Sequence, residues 1–114
     1  MKRQQRLRDK VRFRQVRQEG RSWAHPLLVL CALPNDLPHS RFGFTASRRV
    51  GKATARNRAR RLMREAARLH LQDIEAGWDV VFIARAAIAE ASFQEVAVAC
   101  TLVLRRARLW RREQ

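Results

Sequence analysis

The chain has 114 residues, 46% of them hydrophobic, and a formal net charge of +15 from 25 Lys and Arg against 10 Asp and Glu. That length suits a single domain over 1–114 with one core, and the apolar content excludes a disordered basic tail. The charge points to a polyanionic partner, nucleic acid before any other.

Residues 9–19, DKVRFRQVRQE, predict a short helix with Asp9 as N-cap, Phe13 and Val16 inward, and Gly20 as the C′ residue. Residues 22–25 form a candidate short strand broken at Pro26, and residues 27–33 are a continuous apolar run of strand length. PNDLPHS, residues 34–40, is a turn with two prolines. RFGFTAS, residues 41–47, alternates as a half-buried strand, with Phe42, Phe44 and Ala46 on one side and Gly43 and Thr45 on the other. A basic loop around Gly51 leads into a helix from about Lys52 to His70. WDVVFIAR, residues 78–85, is an apolar strand. Ser92 and Glu95 then form a capping box, and Val96, Cys100, Val103, Ala107 and Trp110 repeat at helical spacing. The order α-β-β-β-α-β-α predicts an α+β sandwich, helices on a small sheet.

The middle helix carries the sharpest signal. ARNRARRLMREAARLH (55–70) has six arginines and one acid, Glu65. At ~100° per residue, Ala59, Leu62, Met63, Ala66 and Leu69 gather on a dry face, while Arg60, Arg61, Arg64 and Arg68 gather opposite, around Asn57. Solvated helix faces normally mix signs, because like charges one turn apart oppose the helix. An almost purely cationic face therefore implies an anionic surface supplied from outside. Residues 41–68 hold ten Lys and Arg against Glu65, whereas residues 71–100 hold Arg85 against five acids. This split describes a basic face on a compact body.

Reactive chemistry is not legible. Cys31 and Cys100 lie in separate apolar runs, and His25, His39 and His70 are scattered, so no spacing suggests a zinc site. Core thiols of a cytosolic protein are expected, and Trp23, Trp78 and Trp110 are expected to pack. No paired carboxylates, Cys–His or Ser–His arrangement or glycine-rich phosphate loop stands out. A recognition helix for DNA mixes Arg with Asn, Gln, Ser and Thr to read base edges. Guanidinium forks alone suit phosphates and unpaired bases, which favours RNA. No run approaches the ~20 apolar residues of a membrane helix, and MKRQQRLRDKVRFRQ lacks the apolar stretch of a signal peptide. A soluble, cytoplasmic protein is expected.

FGFTASRRVGKATARNRARRLMREAAR, residues 42–68, closely resembles the signature region of the protein component of bacterial ribonuclease P, and LRDKVRFRQVRQEGRSWAH and WDVVFIAR extend the match in order. The resemblance implies a ribosomal-protein-like α/β sandwich with a mixed sheet and a left-handed βαβ crossover, against the usual right-handed rule. It implies a subunit of an endoribonuclease that removes the 5′ leader of precursor tRNA. Catalysis would reside in an RNA subunit using Mg²⁺, with no catalytic or metal-binding side chains and no further protein partner in this chain's account. Arg56, Asn57, Arg58, Arg60, Arg61, Arg64 and Arg68 are the implied contacts to the RNA subunit. A cleft between sheet and first helix is implied to hold the leader through Phe13, Arg17, Ser47, Arg48, Arg49, Lys52 and Arg85. The chain departs from the family pattern at three positions. Arg17 and Cys31 stand where aromatics are common, and Ala86 where a basic residue often follows. Composition alone permits equally an RNA-binding ribosomal or assembly protein. A membrane-active basic helix fits poorly, because the dry face is needed for folding.

Overall fold

The computed structural model describes residues 1–111. Three helices, α1 (Lys10–Glu19), α2 (Ala53–Arg68) and α3 (Phe93–Arg106), surround four strands, β1 (Arg21–Ala24), β2 (Leu28–Pro34), β3 (Arg41–Ala46) and β4 (Trp78–Ala84). The strand order is β1-β2-β4-β3, with β3 parallel to β4 and the other pairings antiparallel. The sheet is therefore mixed, and its last strand in sequence lies inside it. β4 takes that place because WDVVFIA is apolar on both sides: Val80, Val81 and Phe82 have no exposed surface.

The two sheet faces are covered unequally. Even-numbered strand residues (Leu28, Leu30, Phe42, Val80, Phe82) join Ala59, Met63 and Ala66 of α2 and Val96, Cys100 and Val103 of α3 in the main core. Odd-numbered ones (Cys31, Val81, with Val29, Leu33 and Ile83) meet Val16 and Phe13 of α1 and Leu7. α1 and α2 thus lie on opposite faces, a consequence of the period of two along each strand. The expected alternation of residues 41–47 is observed, and the three tryptophans are half-buried against the main core.

Local signals act as expected at two helix starts. Asp9 accepts from the Val11 and Arg12 amides at 2.9 and 3.3 Å. Ser92 and Glu95 exchange reciprocal bonds of 3.1 and 2.8 Å. Three expectations are corrected. α3 ends at Arg106, not Trp110; Arg108 adopts φ 60°, and Leu109 and Trp110 turn back so that Trp110 bridges Ile74. α2 ends at Arg68, leaving Leu69 about half exposed while Ala67 is buried. Gly20 is not a left-handed cap: its φ is −72°, and glycine is needed because a Cβ would approach the Val16 carbonyl oxygen to 2.5 Å and that of Ala32 to 2.7 Å.

One charge is fully buried among the described residues. Asp79, at the start of β4, has no exposed surface and accepts from Arg12 Nε (2.7 Å), Arg41 Nε and Nη2 (2.8 and 2.7 Å) and Asn35 Nδ2 (2.9 Å). Burial raises its pKa, but the bonds from Arg41, Arg12 and Asn35 outweigh it and hold the carboxyl below its ordinary value. A depressed folded pKa stabilises above the unfolded value, about 3.9. That stabilisation is lost as pH falls through the acid range towards the folded value. Asp79→Asn should cost about 3 kcal/mol in urea unfolding at pH 7, since Arg12 and Arg41 lose a buried partner but retain access to water. The variant's stability should also fall less steeply than the parent's on acidification. Equal acid slopes would contradict this assignment.

Candidate nucleic-acid interface

The seven candidate positions on α2 share a helix but not an environment. Asn57, Arg61, Arg64 and Arg68 are exposed, whereas Arg56, Arg58 and Arg60 are half-buried. Arg58 turns inward and donates from Nη2 to the Ala91 carbonyl at 2.8 Å, which pins α2 to the segment before α3. Arg60 donates to Asn57 Oδ1 one turn earlier, so the amide orients the guanidinium along the outer face. Arg64 lies over the Phe44 ring, 5.9 Å from its centroid. Arg68 is paired with Glu65, Nε to Oε2 at 3.1 Å, and this bond holds the Glu65 carboxyl below its ordinary value. Arg56, Arg60, Arg61 and Arg64 have no ion pair among the described residues. Four guanidinium groups, not seven side chains, make the uncompensated part of this face.

The second set of candidates falls on the other side of the sheet and in the loop beyond it. Ala46 pairs with Ala84, so Ser47 and Arg85 follow on the same face as Gly43, Val81 and Ile83, the face that α1 covers. Ser47 accepts from the Arg49 amide at 3.3 Å and caps a 3₁₀ turn over Arg48–Val50. Arg48, Arg49 and Lys52 are exposed around it. Arg85 donates from Nη1 to the His25 carbonyl at 3.3 Å and is otherwise exposed. Phe13 is half-buried, its ring seated on Gly43 so closely that a Cβ there would lie 2.4 Å from Cε2. Phe13 is thus neither wholly core nor a free platform. Ser47 lies four residues along β3 from Gly43, about 13 Å at the rise of a strand. The structure therefore forms two groups: Phe13 with Arg17, and Ser47 with Arg48, Arg49, Lys52 and Arg85.

A cavity of about 640 Å³ runs along α1, lined by Phe13, Arg17 and Gln18 and also by Arg8, Lys10 and Arg14, with no acid. Those last three were not singled out from the sequence. For Lys10 and Arg14 the signal was there, since Lys10, Arg14 and Arg17 recur one turn apart on α1; Arg8 lies before the helix and has no such repeat. Burial raises the Cys31 pKa, and the charge of Arg17 works against it, so Arg17 acts over the strand position where Cys31 replaces a common aromatic. The arrangement can hold phosphates and stack a base. It offers little for a cation: no cluster of three His, Cys, Asp or Glu is placed to hold a metal among the described residues, and Asp79 is committed to guanidinium groups.

A family model described as Ribonuclease P matches residues 1–108. The chain belongs to the ribonuclease P protein family. It is 44% identical over 115 residues to the ribonuclease P protein component of Herpetosiphon aurantiacus, covering 100% of this chain and 94% of that one. It is 45% identical to that of Roseiflexus castenholzii, covering 94% and 88%. The RNase P protein of Thermotoga maritima superposes with a TM-score of 0.80 at 31% identity, covering 89% of this chain and 96% of that one. That of Staphylococcus aureus superposes with 0.85 at 25% identity, covering 93% and 97%. Family membership assigns an RNA-binding component of a tRNA-processing ribonucleoprotein, whose partners are RNase P RNA and tRNA substrate. No helix among the described residues is long and apolar enough to cross a membrane.

The inward bond of Arg58 separates it from its neighbours. Arg58→Ala should lower stability by about 1 kcal/mol, because the Ala91 carbonyl loses its donor. Arg61→Ala, on the exposed face, should leave stability within about 0.5 kcal/mol. Chemical denaturation of the isolated protein distinguishes the two.

Proposed function

We propose that the two basic surfaces bind two different RNAs: α2 docks the RNA subunit of ribonuclease P, and the α1 side of the sheet with the 47–52 loop guides the 5′ leader of precursor tRNA. The observation that carries this reading is the sheet itself, which separates α2 from α1 by placing them on opposite faces. On α2, Arg56, Arg60, Arg61 and Arg64 supply phosphate contacts and Asn57 orients Arg60. Arg58 contributes through the position of the helix, and Arg68 from within its pair with Glu65. On the other side, Phe13 offers a half-buried ring and Arg17, Arg48, Arg49, Lys52 and Arg85 offer charge, with Ser47 shaping the loop. With Arg17 in place of an aromatic, leader binding rests on charge more than stacking.

In this reading the protein binds and orients, while cleavage belongs to the RNA subunit and its Mg²⁺. Among the described residues no cluster of side chains is placed to hold a metal, and no step is assigned to this chain. Protein freed of RNA should leave precursor tRNA and Mg²⁺ unreacted, and site-specific cleavage that survives removal of all RNA would refute the assignment.

Four uncompensated arginines predict a loss of RNA-subunit affinity on the order of a hundredfold between 50 and 200 mM salt. A nearly flat dependence would contradict electrostatic docking by α2. The division of surfaces is tested by two triple variants in the assembled holoenzyme. Arg60, Arg61 and Arg64 to Ala should weaken assembly, whereas Arg48, Lys52 and Arg85 to Ala should lower the ratio of precursor to mature tRNA affinity and leave assembly nearly unchanged. If both weaken assembly equally and neither moves the ratio, the basic surface is undivided.

A further inference from the structure

The first eight residues add a surface that neither set of candidates includes. Arg3–Gln5 form a 3₁₀ turn, Arg6 bridges Phe42 in parallel, and the Leu7 amide donates to the Phe42 carbonyl at 2.9 Å. Leu7 is buried, which fixes this strap against the outer edge of β3. The strap covers only the start of that edge. In a parallel ladder, backbone groups of alternate residues point to the same side. The N–H and C=O of Phe44 therefore face the open edge, as the Phe42 carbonyl does.

Beyond the strap the edge opens into a notch of about 190 Å³. Arg6 and Arg8 of the strap and Arg64 of α2 line it, with Phe13, Gly43 and Phe44 as its floor and no acid among its lining residues. Arg6 and Arg8 are exposed, and neither side chain has a hydrogen bond or ion pair among the described residues. The notch straddles the strand edge, with Phe13 reaching it from one sheet face and Phe44 with Arg64 from the other. The two unpaired guanidinium groups of the strap, beside two aromatic rings and a free backbone edge, match one unpaired nucleotide: charge for its phosphate, a ring for its base, and N–H and C=O for its polar edge, while Arg64 closes the far wall over Phe44.

We propose that this notch binds one nucleotide of the single-stranded precursor leader, with Arg6 and Arg8 as its phosphate contacts. This rests on the reading of the α1 side as the leader's path and extends that path round the edge of β3. A leader strand is unpaired along its length and can enter a notch floored by side chains, whereas a duplex presents only its outer phosphates.

The test replaces Arg6 and Arg8 together by Ala, in the holoenzyme, and measures three quantities. RNA-subunit affinity should stay within twofold of the parent. The precursor-to-mature affinity ratio should fall about tenfold, and the log–log salt slope of precursor binding should flatten by roughly one to two. A structural role would not flatten the slope. Because the strap is held by Leu7 and backbone bonds, the melting temperature should not move; if it does, Arg6→Lys with Arg8→Lys, which retains charge, must restore the ratio. Loss of RNA-subunit affinity with an unchanged ratio would assign the notch to the RNA subunit and overturn the proposal. No change in either would make it a solvated surface. Either failure leaves the Arg48, Lys52 and Arg85 variant free to support the leader path, so the two claims fail separately.

Discussion

Asp79 is the point through which the two halves of the structure are joined. Its carboxylate, without exposed surface, is held by Arg12 of α1, Arg41 of β3 and Asn35 of the turn after β2. Arg12 also donates to the Pro34 carbonyl at 2.8 Å, so the N-terminal turn of α1 is fixed to the same end of the sheet. A carboxylate buried without such partners would be neutralised or would expel itself to water. With them, β4 is tied to β3 and α1 is tied down at one end. The rest of α1 then lies across β2 and β4 and brings Phe13 onto Gly43.

This clamp has a consequence for charge. A chain of net charge +15 must keep its cations apart or supply them with anions. The protein neutralises a few with its own acids: Arg12 and Arg41 on the buried Asp79, Arg68 on Glu65 at the surface. Others spend donors on backbone carbonyls, as Arg58 does at Ala91 and Arg106 at Ala24. What remains is divided by the sheet into an α2 face and an α1 face, with Arg6 and Arg8 along the edge between them. Repulsion left uncompensated in the free protein becomes attraction when phosphate arrives. The same crowding that costs folding stability therefore favours binding.

Much of this was legible in the residues, for identifiable reasons. Asp9, Ser92 and Glu95 act through bonds within one turn, so their spacing alone defined two helix starts. The alternation of Phe42, Phe44 and Ala46 followed from the period of two. What escaped depends on contacts distant in sequence. Arg58 resembles its neighbours in a helical repeat, and only Ala91, 33 residues away, makes it structural. Arg12 and Arg41 lie in basic stretches, and nothing local indicates that they converge on Asp79 from 67 and 38 residues away. The strap has a single buried apolar residue, Leu7, among charged neighbours, too little pattern to announce an edge pairing. The end of α3 was overrun because Ala107 and Trp110 continue the spacing while the backbone turns at Arg108.

The central claim is that the sheet separates two RNA-binding faces, and directed cleavage from single cysteines tests it most directly. Both native thiols are buried, and burial pushes that of Cys100 up to about 12, so introduced cysteines can be labelled selectively. An iron chelate that generates hydroxyl radicals would be tethered at Arg61→Cys on α2, or at Gln18→Cys beside the α1 cavity. Each labelled protein would be assembled with the RNA subunit and precursor tRNA. The account predicts cuts in the RNA subunit from the first position and in the 5′ leader from the second. Cuts in the same RNA segment from both positions would contradict it.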